Sequence, residues 1–392
     1  MERPQENRRS DVRALERLKA KRHRRKVIRI TALVLVLAGA IAYATGFFSA
    51  SLAVLGDVVD SAALMLSPGK GYPAQLSVSG FAQAKAVGSG AALLGDNDLV
   101  IWSSSAKEAL RIQHGYANPV LTSGNARACV YNRAGTELRV VSRTRELFTK
   151  NFDNTILLAR MSPGGALAVA TKSERYMAQV TVYNTSFEPV YTWYSASYYP
   201  TAIAFASDNH RLAVVCPKGV GGQLGSVITL LDTRKDDKVA VIEAPGSLAL
   251  EMKYLSGGEL LVVYDNMAAV YNSETGEEKA RYAYGDRTLL FASCEKGKNV
   301  ALLFGDRNQV SLNRVVVLNN TMQEICAVDY RRAAEDLLLT RDRVYILGEN
   351  AADIYDLKGE LVETVPLTGR GDQLIYCKKV LAVTSREVAV VS

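Results

Sequence analysis

One phrase recurs eight times after residue 73: an apolar strand-like run ending in an aromatic or aliphatic residue, a polar turn, then a second run. The clearest copies are AAVYNSETGEEKARY and DIYDLKGELVETV. The anchors are Trp102, Val141, Tyr183, Leu231, Tyr271, Leu318, Tyr355 and Val391. They return about every 41 residues, the interval of a four-stranded propeller blade. Such a period constrains the fold more than any composition does. One unit cannot bury its apolar faces alone, so it must stack on copies of itself.

The runs before the anchors support this reading. RMSPGGALAVAT and AFASDNHRLAVVC each hold two apolar runs joined by a turn of Pro, Gly, Asp or Asn, the chemistry of a hairpin. No amphipathic helix interrupts the pattern, so the chain after residue 73 is all-β. Seven anchors are followed by one more strand, whereas the eighth stops at Ser392. A ring must pair its first and last blades to avoid open strand edges, and QLSVSG, residues 75–80, is expected to supply the missing strand. Eight blades are expected, with seven as the alternative.

The units resemble the blades of WD40-like and quinoprotein-like propellers, and SPGG at 162–165 is similar to the SPDG turn of those families. The Gly-His and Trp-Asp signatures are absent. The order of basic tail, single span, GKGYP junction and Tyr-rich propeller resembles a family of single-span bacterial envelope proteins of unknown function. That resemblance implies an extracytoplasmic propeller facing the cell wall and carries no catalytic motif.

Residues 30–48 read ITALVLVLAGAIAYATGFF without a charge, the length that about 20 apolar residues need to cross a bilayer. The cluster KRHRRKVIR precedes the run, and the positive-inside rule holds it in the cytoplasm. A cleavable signal peptide is the rival, but its apolar core is shorter, about 7 to 15 residues. The expected organisation is a basic cytoplasmic tail at 1–26, a transmembrane helix at 27–48, an amphipathic stalk and linker at 49–72, and the propeller at 73–392. Ala38, Ala42 and Gly46 recur at four-residue spacing and would let two spans approach as a weak homodimer.

The net charge of +7 raises a nucleic-acid reading, and its location removes it. Residues 1–29 hold 12 basic and 4 acidic side chains, which leaves 35 basic and 36 acidic for the rest. The large domain therefore has no net pull on phosphate backbones, and nucleic acid is not an expected partner. Envelope protein or cell-wall polymer is, together with membrane lipid around the span.

No site for chemistry emerges. Cys129, Cys216, Cys294, Cys326 and Cys377 form an odd set without a close pair and read as buried free thiols, with one inter-blade disulfide as the alternative. His114 and His210 have no metal spacing and read as turn or surface residues. GDND at 95–98 is hairpin chemistry rather than a calcium loop. The Arg370-Gly371-Asp372 tripeptide is ordinary turn composition. No cofactor or metal is expected, and Trp102 reads as core. The one candidate binding surface is YTWYSASYYP, with Tyr191, Trp193, Tyr194, Tyr198 and Tyr199, since amphipathic rings suit protein and sugar faces. Strand core is the competing assignment for Tyr191 and Trp193, and inter-blade packing for Tyr198 and Tyr199. The leading functional expectation is a non-enzymatic binding scaffold. The alternatives are a hydrolase or lyase at the channel mouth and a sensor signalling through the span.

Overall fold

The anchor of each repeat ends, or lies one residue beside the end of, the third strand of a sheet, and the residue after it explains why the phrase is polar there. In the computed structural model, which describes residues 68–220, 222–294, 297–306 and 313–392, Asn184 Oδ1 accepts the N–H groups of Ser186 and Glu188 at 2.9 and 3.0 Å. Asn319 does the same for Thr321 and Gln323, and Asp356 for Lys358 and Glu360. Asn272 and Asp232 each take one such bond from two residues on. A short side chain that mimics the backbone closes the turn and sends the chain into its fourth strand.

Eight four-stranded antiparallel sheets result. Blades 1 to 7 span 83–113, 119–151, 156–195, 202–244, 249–283, 289–329 and 336–366, and blade 8 takes three strands from 371–390. All-β architecture with eight blades is thus the fold, and the seven-bladed alternative falls. The expected span at 27–48, the tail at 1–26 and most of the stalk lie outside the described residues. Among those described, no helix is long and apolar enough to cross a membrane.

Burial follows position in the blade. Second strands such as Gly90–Leu94, Val300–Phe304 and Val380–Thr384 are buried at every residue, because both faces of a middle strand meet a neighbouring blade. Outermost strands such as Glu278–Ala283 alternate between exposed and partly buried residues, the period of two that a half-solvated strand shows. Eight apolar clusters fill the inter-blade interfaces.

First strands meet around the axis, where their inner edges have no fifth strand to pair with. Side chains from preceding blades supply acceptors. The N–H of Leu121 donates to Gln83 Oε1, that of Met161 to Thr122 Oγ1, and that of Ala249 to Ser226 Oγ. Leu339 donates to Ser293 Oγ and Leu374 to Asp336 Oδ2. The seam between blades 8 and 1 is tied twice, since Ala84 N–H donates to Gln373 Oε1 at 2.8 Å and Gln373 Nε2 donates to Ala84 O at 3.1 Å.

Closure comes from the N-terminal side, as expected, but through a different strand. Ala74–Gln75 pairs with Glu387–Val390, Ala74 opposite Val388 and Gln75 opposite Glu387, and Leu76 N–H donates to Arg386 O at 2.9 Å. Of QLSVSG only Gln75 belongs to the strand. Residues after Leu76 must turn back toward blade 1, so they cannot also continue along blade 8. Tyr72 reinforces the seam by packing 6.4 Å from the Trp102 ring, with the Lys379 ammonium 4.3 Å from the centre of the Tyr72 ring.

The five cysteines are all buried and free, and none forms the alternative disulfide. Burial pushes the Cys216 thiol up to about 11 and raises that of Cys129 further, so neither is a thiolate near neutral pH.

Candidate functional site

Antiparallel order fixes two faces. Connections between first and second and between third and fourth strands emerge on one face, called the near face. Connections between second and third strands, and between blades, emerge on the far face. The chain joins the propeller on the near face, where Gly69 N–H donates to Ser105 Oγ and Gly71 N–H to Ser105 O in the third-to-fourth turn of blade 1.

The strand Pro189–Ser195 separates the expected aromatic cluster by its alternation. Tyr191 and Trp193 face blade 4 and pack, with Tyr198, against the cluster of Val180, Ile203 and Leu212. Tyr194 points the other way and is 47% exposed, and Tyr199, in the connection to blade 4, is 42% exposed. Ser195 Oγ–H donates to Tyr198 O at 2.6 Å and so fixes that connection. Structure thus brings Tyr194 and Tyr199 to the far end of blade 3 and withdraws Tyr191, Trp193 and Tyr198 into the interface.

It also adds residues that sequence reasoning missed. Tyr176, in the turn between the second and third strands, is 37% exposed, and its ring lies 4.8 Å from that of Tyr194. The Arg175 guanidinium sits 5.8 Å over Tyr176, within cation–π range. Next to this, the middle strands of blade 4, Arg211–Val220 and Gln223–Asp232, pair along ten residues, while the flanking strands stop at Ala202 and Ala244. The hairpin therefore projects beyond its sheet on the far face and carries Leu224, 56% exposed. Lys218 Nζ to Glu243 Oε1 at 3.0 Å braces it, and a 250 Å³ recess lies between Gln223, Gly225 and Pro245. The signal was present in the sequence as the long Tyr183-to-Leu231 interval and the Gly-rich KGVGGQLG.

On the near face the central channel opens into a 310 Å³ cavity lined from several blades. Among its described lining residues Glu251 is the one carboxylate, accompanied by Lys85, Arg160 and Lys253. The paired carboxylates that general acid and base work would use are not in that lining. Among the described residues no cluster of His, Cys, Asp or Glu could hold a metal.

His114 is neither a tight-turn nor a surface residue: it follows the last strand of blade 1 in the connection to blade 2 and is buried. Tyr116 N–H donates to its Nδ1 at 3.0 Å, and its Nε2 faces Gly95 O at 3.3 Å, so a neutral ring protonated on Nε2 satisfies both. Desolvation is the largest influence and lowers its pKa. Unfolded histidine titrates near about 6.5, so below that the unfolded chain binds a proton that the folded chain resists. Stability should therefore fall as pH drops from about 7 to 5. Thermal melts of the wild type and His114→Asn across that range should show the shallower slope in the variant.

Two further sequence features have structural rather than ligand-binding surroundings. Arg370 forms an ion pair with Glu335 at 3.0 Å at the end of the blade 7 to blade 8 connection, whereas Gly371 and Asp372 already belong to the first strand of blade 8, with Gly371 buried, so the tripeptide is not a free turn. His210 hydrogen-bonds Thr233 Oγ1 at 3.0 Å in a turn.

Similar folds are widespread and distant in sequence. BamB from Moraxella catarrhalis is 12% identical with a TM-score of 0.55, covering 83% of this chain and 99% of that one. The C-terminal WD40 domain of Sif2 is 11% identical with a TM-score of 0.59, covering 82% and 98%. The computationally designed Ika8 protein is 12% identical with a TM-score of 0.61, also covering 82% and 98%. Identities this low establish the propeller and nothing of activity. No protein of curated function matches the sequence. Residues 70–388, nearly the whole propeller, match the family of unknown function DUF5711, and the chain belongs to that family.

Proposed function

We infer that the protein is a membrane-anchored, extracytoplasmic, non-enzymatic scaffold of the bacterial envelope, which binds a protein or wall polymer on the far face of blades 3 and 4. The observation that carries this is the gathering of Tyr176, Tyr194, Tyr199 and Leu224, all well exposed, at one end of adjoining blades. Exposed aromatic rings backed by rigid strands give large contact area at low entropic cost, the composition of interface cores rather than of ordinary surface. The uncharged run at 30–48 and its basic flank support the anchor. Gly69 packs on the near face, the face opposite the proposed surface.

The test is affinity capture from envelope extract and isolated wall polymer with the full-length chain. Tyr194→Ser with Tyr199→Ser should reduce the captured partner at least tenfold without lowering the melting temperature, whereas Trp193→Ser should destabilise the fold. Capture that survives the double substitution would move the binding surface elsewhere.

A further inference from the structure

We propose that the mouth of the central channel is a binding site for a phosphoryl-bearing ligand. The 310 Å³ cavity there receives Lys85 from blade 1, Arg160 from blade 3 and Lys253 from blade 5. Those blades alternate around the ring, so successive cations stand a quarter turn apart and approach one space from three directions. Glu251, two residues before Lys253, is the opposing carboxylate of the described lining, which leaves that lining two positive charges in excess. The rest of the chain after residue 29 is almost neutral, with 35 basic against 36 acidic residues in all. Positive charge is thus concentrated at the axis of a domain that has none to spare on average.

The two cations with no structural duty are the informative ones. Lys85 and Arg160 form no hydrogen bond or ion pair with any described residue, whereas Lys253 Nζ donates to Gly297 O at 3.2 Å. Two cations outside the cavity lining are, by contrast, engaged: Arg127 donates to Thr185 O and lies over Phe187, and Lys379 lies over Tyr72. Ser123, Asn125 and Ser207 add neutral donors to the wall. A recess with low-dielectric walls focuses the field of its charges. A phosphoryl group presents three strong acceptor oxygens in a tetrahedral spread, which suits donors arriving from three sides, whereas a carboxylate offers two in a plane. The volume is at the lower end of small-ligand pockets, roughly 300 to 1,000 Å³, and no nucleic-acid duplex could enter it.

Calorimetric titration of the full-length chain with inorganic pyrophosphate tests this. Binding that weakens with salt is expected, and Lys85→Gln with Arg160→Gln should weaken it at least tenfold at an unchanged melting temperature. Tyr194→Ser with Tyr199→Ser should leave it intact, which separates this site from the far-face surface. Equal affinity in the channel variant would assign the binding to the basic residues of 1–29 and overturn the proposal. So would an absence of binding by the wild type, or tighter binding of citrate than of pyrophosphate. Because the chain joins the propeller on this face, vesicles of phosphatidylglycerol provide the second arm. Displacement of pyrophosphate by vesicles would identify a lipid headgroup as the source, and its retention would identify a free phosphoryl ligand.

Discussion

Deleting residues 68–77 should lower the free energy of unfolding by about 3 to 5 kcal/mol and make the protein associate. Ala74–Gln75 is short, but it is the fourth strand of blade 8. Tyr72, Ala74 and Leu76 pack against the cluster of Trp102, Val383 and Val388 that joins blade 8 to blade 1. Each partly buried large side chain contributes about 1 to 2 kcal/mol, and each backbone bond about 1 kcal/mol net. Their loss also bares the edge of Glu387–Val390, and an unpaired edge recruits another chain. The inner tie between Gln373 and Ala84 would remain, so the ring should loosen at its rim rather than fall apart. Denaturant unfolding and size-exclusion chromatography of the full-length and deleted chains measure both effects. An unchanged midpoint would mean that the seam is held by Gln373 and the core alone.

Phe304→Ala should cost about 3 to 5 kcal/mol, the usual range for truncating a buried aromatic. The ring is 1% exposed at the end of the second strand of blade 6. It meets Tyr284 edge-on at 4.8 Å, and the Arg287 guanidinium lies 4.5 Å from its centre. Tyr284→Phe, at the same contact, should have the opposite sign. The Tyr284 hydroxyl is buried without a hydrogen-bond partner among the described residues, and removing an unsatisfied polar group while keeping the ring gains about 1 kcal/mol. Parallel unfolding curves of the two variants check the pair. A destabilised Tyr284→Phe would reveal a partner for the hydroxyl.

The ring was legible in the sequence because each repeat follows its anchor with a short polar residue, Asn or Asp in five repeats and Ser in three. An anchor followed by Asn or Asp, as at Tyr183-Asn184, Tyr271-Asn272 and Tyr355-Asp356, makes the turn that defines the blade. The need for a closing strand was legible from the missing fourth strand after Val391. Its identity was not, because a two-residue strand has no periodicity to read.

The candidate surface was legible in part. Alternation along Pro189–Ser195 places Tyr191 and Trp193 on one side and Tyr194 on the other, but alternation does not say which side a neighbouring blade covers. Tyr176 is remote in sequence from Tyr194 and reaches it through the pairing of Ala178–Tyr183 with Pro189–Ser195. The channel cations come singly from separate blades, so no local cluster announces Lys85 and Arg160.

The most direct test of the binding platform is site-specific photo-crosslinking in cells, with a photoreactive phenylalanine analogue at Tyr194 or Tyr199 and, for comparison, at Leu361, which is 54% exposed on the outer strand of blade 7. A discrete adduct of higher mass from Tyr194 and Tyr199, and none from Leu361, is the expected result. No adduct from any position, or the same adducts from all three, would contradict a partner bound at the far face of blades 3 and 4.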